Sequence, residues 1–174
     1  MEIVNFFEKL AGRWFSQRTT HALSTQQSKA GKSDLEVEFL SPDNADVQQL
    51  CQTHSVEKSP LCGLRIQQSS TIDGDTKPKV ASTLLVPLSP EDSDAPIPGG
   101  TLLRSGSKTR SCYALEDEVL TIASEEAGTR STERLWFIND NLRMRTGVTE
   151  LADGLRIASF CSEIRMGVKP PKQD

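Results

Sequence analysis

Thr132-Glu133-Arg134-Leu135-Trp136-Phe137-Ile138-Asn139-Asp140-Asn141-Leu142-Arg143-Met144-Arg145-Thr146 reads as one β-hairpin. Apolar and polar residues alternate on both sides of Asn139-Asp140-Asn141, a cluster of turn formers. The loop length decides which side chains meet, because a slip of one residue turns every side chain to the other face. A two-residue loop at Asn139-Asp140 puts Glu133 on the face of Met144 and Thr146. A three-residue loop puts Glu133, Leu135, Phe137, Arg143, Arg145 and Gly147 on one face. Arg134, Trp136, Ile138, Leu142 and Met144 then share the other. Asn141 tolerates the left-handed conformation that three-residue loops need, which favours the second register.

Strand signals continue in both directions. Leu35, Val37 and Phe39 alternate strictly with Asp34, Glu36 and Glu38. The Thr-rich stretch 12–23 is a long polar-mixed strand. Further runs at 62–72, 79–88, 100–108, 110–115, 118–124, 129–138, 141–150 and 155–166 bring the expectation to about ten strands. Such a series favours a closed up-and-down barrel or a sandwich; closure removes edges and can enclose a small ligand. Two short helices precede or interrupt it. Ile3, Phe6, Phe7 and Leu10 form one stripe over 2–11, stopped by Gly12. Ser41 as N-cap and Pro42 at the first turn predict a second helix over 42–53, with His54 at its end. Residues 1–166 are expected to form a single domain. Residues 87–100, rich in Pro and acid, read as a rim loop, and 167–174 as a flexible tail.

The 174 residues carry 20 basic and 24 acidic side chains, a net charge of −4, with 36% hydrophobic residues. A mildly acidic chain argues against nucleic acid as a partner. No apolar run approaches the roughly 20 residues of a membrane span. The acidic start at Glu2 does not suit a signal peptide. Cys51, Cys62, Cys112 and Cys161 show no paired spacing, so no metal site is expected; they read as reduced cytosolic thiols, several of them buried. Phosphate-loop, dinucleotide and nucleophile-elbow motifs are absent.

The hairpin then carries what chemistry there is. Glu133 with Arg143 and Arg145 is either a solvated cross-strand network or an anion-binding wall inside a cavity. A guanidinium fork matches a carboxylate, and Arg18, with Trp14 on the same strand, adds a third cation.

Three blocks carry a resemblance. They are Ala11-Gly12-Arg13-Trp14-Phe15-Ser16-Gln17-Arg18-Thr19-Thr20-His21, the segment Glu133 to Thr146, and Ala158-Ser159-Phe160-Cys161-Ser162-Glu163-Ile164-Arg165. In order and spacing they resemble the S-type phycobiliprotein lyases, the CpcS/CpeS chromophore lyases. The resemblance implies a mainly β fold: a lipocalin-like, ten-stranded antiparallel β-barrel with two short α-helices. It implies a protein of the cytoplasm, or of an algal plastid, with no permanently bound cofactor. Such a protein binds a phycobilin, a linear tetrapyrrole, as substrate. It promotes thioether attachment to a cysteine of a phycobiliprotein subunit, β in the first instance. The family's bilin-contacting positions fall on Glu133 and Arg143, expected to be catalytic, and on Arg18, Arg145, Trp14 and His21, expected to bind ligand. Departures at Ala22, Gly147 and Arg65-Ile66-Gln67-Gln68 keep a second expectation open. There the chain is a bilin carrier, or the supporting subunit of a heterodimer, rather than an autonomous or homodimeric lyase.

Overall fold

Alternation dominates the chain from Gly12 onward, and in the computed structural model each alternating run becomes a strand. Residues 1–90 and 99–167 are described. The strands are β1 (Gly12–Ala22), β2 (Gln27–Leu40), β3 (Gly63–Ile72), β4 (Lys79–Pro87), β5 (Gly99–Arg104), β6 (Ser111–Glu116), β7 (Val119–Glu126), β8 (Thr129–Asn139), β9 (Leu142–Glu150) and β10 (Arg156–Arg165). Every neighbour pairs antiparallel, and β1 pairs with β10, so the sheet closes into a ten-stranded barrel. Two helices complete the described chain, α1 (Ile3–Lys9) and α2 (Ala45–Thr53).

α1 plugs one end. Phe6 and Phe7 are buried in a cluster with Trp14, Leu64 and Leu120. The Phe6 ring meets Phe137 edge-on at 5.3 Å, and Phe7 meets Tyr113 at 6.2 Å. The last carbonyls of a helix have no partner of their own. Here cations and an indole supply them. Arg165 Nη2 donates to Lys9 O at 3.0 Å and its Nη1 to Ala11 O at 2.6 Å, while Trp14 Nε1 donates to Leu10 O at 3.0 Å. These bonds fix the plug to β1 and β10.

α2 lies outside the barrel, over Val86, Leu88 and Leu103, through Val47, Leu50 and Cys51. Its N-cap is Asn44, whose side chain accepts from Asp46 N at 2.9 Å. Ser41 is not the cap. It opens a turn in which Asn44 N donates to Ser41 O, which delays the helix by one turn. His54 is the C-cap residue, as its place in the sequence suggested. The helix sits close to β3 because Gly63 has no side chain: a Cβ there would fall 2.5 Å from Val47 Cγ2 and 3.3 Å from Leu40 Cβ. Gly63→Ala is therefore expected to cost about 1–3 kcal/mol by overpacking, measured by urea unfolding.

The hairpin of β8 and β9 has the expected pairing, with Glu133 opposite Gly147 and Phe137 opposite Arg143. Its tip is built differently. The loop is two residues, Asp140 and Asn141, and a bulge at Ile138 restores the register. Asn141 does not take a positive φ. Instead Asn139 Oδ1 accepts from Asn141 N at 2.9 Å, an Asx turn that closes the loop. A bulge adds one unpaired residue and so exchanges a longer loop for an irregular strand end. β2 also starts earlier than its apolar alternation, at Gln27 rather than Asp34, because it zips onto β1 as far as Ala22. The rim loop's residues 91–98 and the tail's 168–174 lie outside the described residues.

Candidate functional site

Alternation and closure send one set of side chains from every strand into the lumen. On β9 these are Arg143 and Arg145, on β8 Glu133 and Leu135, and on β1 Arg18. They line an inner chamber of about 240 Å³ whose apolar walls include Leu35, Ile66 and Leu120. Arg18, Arg104, Ile122 and Glu133 also line an outer chamber of about 530 Å³, so these four residues form the waist between the two. The outer chamber is rich in hydroxyls, among them Thr20, Ser124, Ser131 and Ser159. The lumen is graded: solid and apolar under α1, charged at mid-height, hydroxyl-lined toward the other end.

The charged belt is organised by a residue that the sequence reading did not select. Glu163 on β10 is fully buried. Its Oε2 accepts from Arg143 Nε at 2.5 Å, and its Oε1 lies 3.0 Å from Arg145 Nη2. Burial works to raise the Glu163 carboxyl, but Arg145 and then Arg143 outweigh it and hold it below the usual value of 4.5. Burial pushes the Arg143 guanidinium down to about 10, against the pull of Glu163. It remains a cation at neutral pH. The signal for Glu163 was present in the strand parity: Ser159, Cys161 and Glu163 share a face, and Glu163 pairs with Arg143.

The belt's members differ in what they leave free. Arg143 is buried, and its Nε and Nη1 go to Glu163 and to Leu10 O. Its plane covers Trp14 at 4.1 Å from the ring centre, and Arg165 covers Trp14 at 4.2 Å. Arg145 is partly exposed, and its buried Nε has no hydrogen-bond partner. Arg18 Nε donates to Cys161 Sγ at 3.3 Å, leaving its two terminal nitrogens unbonded. Among the described residues Glu133 makes no hydrogen bond or ion pair; it acts on Arg145 through its charge. A Cβ at Gly147 would fall 2.9 Å from Ser159 Oγ and 3.8 Å from Glu133 Cγ, so glycine leaves space beside Glu133.

Four of the six expected site residues, Arg18, Glu133, Arg143 and Arg145, therefore meet at one belt. Trp14 and His21 do not join the lining. Trp14 is buried between two guanidiniums, beneath the belt. His21 is exposed and bonds Ser28 Oγ at 2.7 Å through Nδ1, because odd residues of β1 face outward. Cys51, Cys62 and Cys161 are buried and Cys112 is exposed. Burial pushes the Cys62 thiol up to about 12, which suits a core hydrophobe.

Fold and site together define a closed ten-stranded β-barrel with an arginine-rich internal cavity. The sequence matches the family described as CpeS-like protein over residues 2–166. It is 40% identical to "Chromophore lyase CpcS/CpeS" of Thermosynechococcus vestitus, over 98% of this chain and 96% of the relative. It is 31% identical to "Phycocyanobilin lyase subunit CpcS" of a Picosynechococcus species, over 95% and 86%. Among solved structures it resembles the S-type phycobiliprotein lyase CPES from Guillardia theta, with a TM-score of 0.85, 26% identity and coverage of 97% and 95%. The chain belongs to the CpeS-like family.

Proposed function

We propose that the two chambers hold a phycobilin, with its carboxylates at the arginine belt and its ethylidene carbon presented to a cysteine thiol of a phycobiliprotein β subunit. As a member of its family the chain is a chromophore lyase. The carrying observation is Glu133: a carboxylate at the waist of the cavity, beside Arg145, with no hydrogen-bond partner among the described residues. Glu133 accepts from the pyrrole N–H groups and moves a proton at the tetrapyrrole. A protonated tetrapyrrole is more electrophilic at the ethylidene carbon. The acceptor's S–H then adds across the exocyclic double bond. Sulfur bonds to the ethylidene carbon, and the proton ends on the neighbouring ring carbon. No electron is gained or lost, and the lyase supplies no nucleophile.

Arg18, whose two terminal nitrogens are unbonded, and Arg145, which lines the inner chamber, take a propionate directly. Arg143, with its Nε bonded to Glu163 and its Nη1 to Leu10 O, positions Arg145 through Glu163. No helix among the described residues is long and apolar enough to cross a membrane; we place the reaction in the cytosol.

Purified protein mixed with phycocyanobilin is expected to red-shift and sharpen the pigment's absorbance. An unchanged spectrum would reject the reading. Co-expression with bilin synthesis and a β subunit is expected to yield a covalent, fluorescent product. One observation favours a second reading, in which the chain supports a partner lyase. Phe7 is the single aromatic side chain among the described lining of the inner chamber, so the flat pigment finds few stacking partners. Product formed by this chain alone would exclude that reading.

A further inference from the structure

Arg104 was selected by no motif, yet it stands at the waist of the cavity. It ends β5 and pairs with Leu85 of β4. In the closed order of strands β5 and β10 lie opposite each other, five strands apart in either direction. Arg104 therefore lines the inner chamber from the wall across from β10, whose Glu163 lines the same chamber, with Arg18 and Arg145 on the strands flanking β10. Its side chain is partly exposed and lines both chambers. Among the described residues that side chain makes no hydrogen bond, ion pair or ring contact. The inward residues nearest to it on β4 are Thr83 and Leu85, neither of them an acid.

The contrast with the other arginines is chemical. Arg143 is bonded to a carboxylate and a carbonyl, Arg145 is paired with Glu163, and Arg18 is tied to Cys161. Arg104 alone of the four belt arginines brings a complete, unspent guanidinium fork to the lumen. Such a fork takes a carboxylate in two parallel bonds, and its attraction grows where a ligand displaces water.

We propose that Arg104 is a further substrate-binding residue, which takes one bilin propionate while Arg18 and Arg145 take the other. This rests on the bilin reading above. The two propionates leave neighbouring rings, and arginines reaching from opposite walls seize one each. That fixes the rotation of the pigment about the barrel axis, and with it which face of the ethylidene group meets the acceptor thiol.

The test titrates phycocyanobilin and its dimethyl ester into wild type, Arg104→Gln and Arg104→Lys, following absorbance. Arg104→Gln is expected to lose about ten- to hundredfold in affinity for the free acid, the scale of a charge-assisted bond. It is expected to bind the diester as wild type does, and Arg104→Lys to recover part of the loss. Equal melting temperatures for the three proteins are expected, since no protein contact is removed. An equal loss for acid and diester, or no loss for either, would overturn the assignment. Wild type that binds neither form rejects the bilin reading itself, and this assignment with it.

Discussion

Glu133→Gln protein is expected to bind phycocyanobilin nearly as wild type does and to attach it about 10²- to 10⁴-fold more slowly, the range a positioned acid–base group supplies. The amide keeps the shape of the side chain and can still meet a pyrrole N–H through its carbonyl oxygen. It cannot carry a proton. Among the described residues the Glu133 carboxylate makes no hydrogen bond or ion pair that its loss would break; its charge acts on Arg145, which keeps Glu163 as a partner. The melting temperature is therefore expected to stay close to wild type. Fluorescent product from co-expression, normalised to bound pigment, is the measurement. Attachment at the wild-type rate would remove Glu133 from the chemistry and leave the arginines as the whole site.

Glu163→Gln is expected to do the opposite and damage the protein first. Glu163 is a buried anion held between two cations. Removing one partner of a buried ion pair typically costs about 3–5 kcal/mol, because the charge left behind is neither solvated nor matched. For a domain of this size that lowers the melting temperature by roughly 10 °C or more. The loss depends on pH in a defined direction. The Glu163 carboxyl sits below its usual 4.5 in the folded chain. Its contribution is complete above that value. As pH falls through 4.5 toward the folded-state pKa, the unfolded chain binds the proton first and the contribution drains away. The gap between wild type and Glu163→Gln in urea unfolding is thus expected to be widest near neutral pH and to narrow in acid. A gap that stays constant down to pH 3 would show that the carboxylate's charge is not what stabilises the belt.

The two variants separate functions that the sequence presents side by side. Glu133 and Glu163 both flank arginine-rich strands, and both face the lumen. One is spent on holding Arg143 and Arg145 in place; the other, on the proposed function, is left for the substrate. Burial and the partners at each carboxylate tell them apart: Glu163 is fully buried and paired with two arginines, and Glu133 is only partly buried. The same comparison gives Arg143 two protein partners through Nε and Nη1, and leaves Arg104 with none among the described residues.

Much of this was legible in advance because it depends on period and parity. A two-residue period over stretch after stretch allows few architectures other than a closed antiparallel sheet. Within it, parity alone put Glu133, Arg143 and Arg145 on one face. Parity survives errors of detail: the loop at Asp140-Asn141 came out one residue shorter than expected, and the bulge at Ile138 kept every inward residue inward. The α1 stripe was legible for the same reason, since Phe6 and Phe7 recur at helical spacing and must be buried somewhere.

Closure, by contrast, is a property of the whole sheet. Pairing of β1 with β10 brings Arg18 to Cys161 across 143 positions of sequence and sets Arg104 opposite them. No local pattern encodes which of four inward arginines will find a buried acid, which will stack on Trp14, and which will face open lumen. Those outcomes follow from who lies across the barrel, and that is decided by shear and packing. The sequence by itself determined a strand-rich chain with an arginine-bearing inner face, hidden within a net charge of −4. The tertiary structure decided which of those charges are paired within the protein and which, among the described residues, face the cavity unpaired. The reason is that desolvation and pairing are three-dimensional quantities, while alternation is a one-dimensional one.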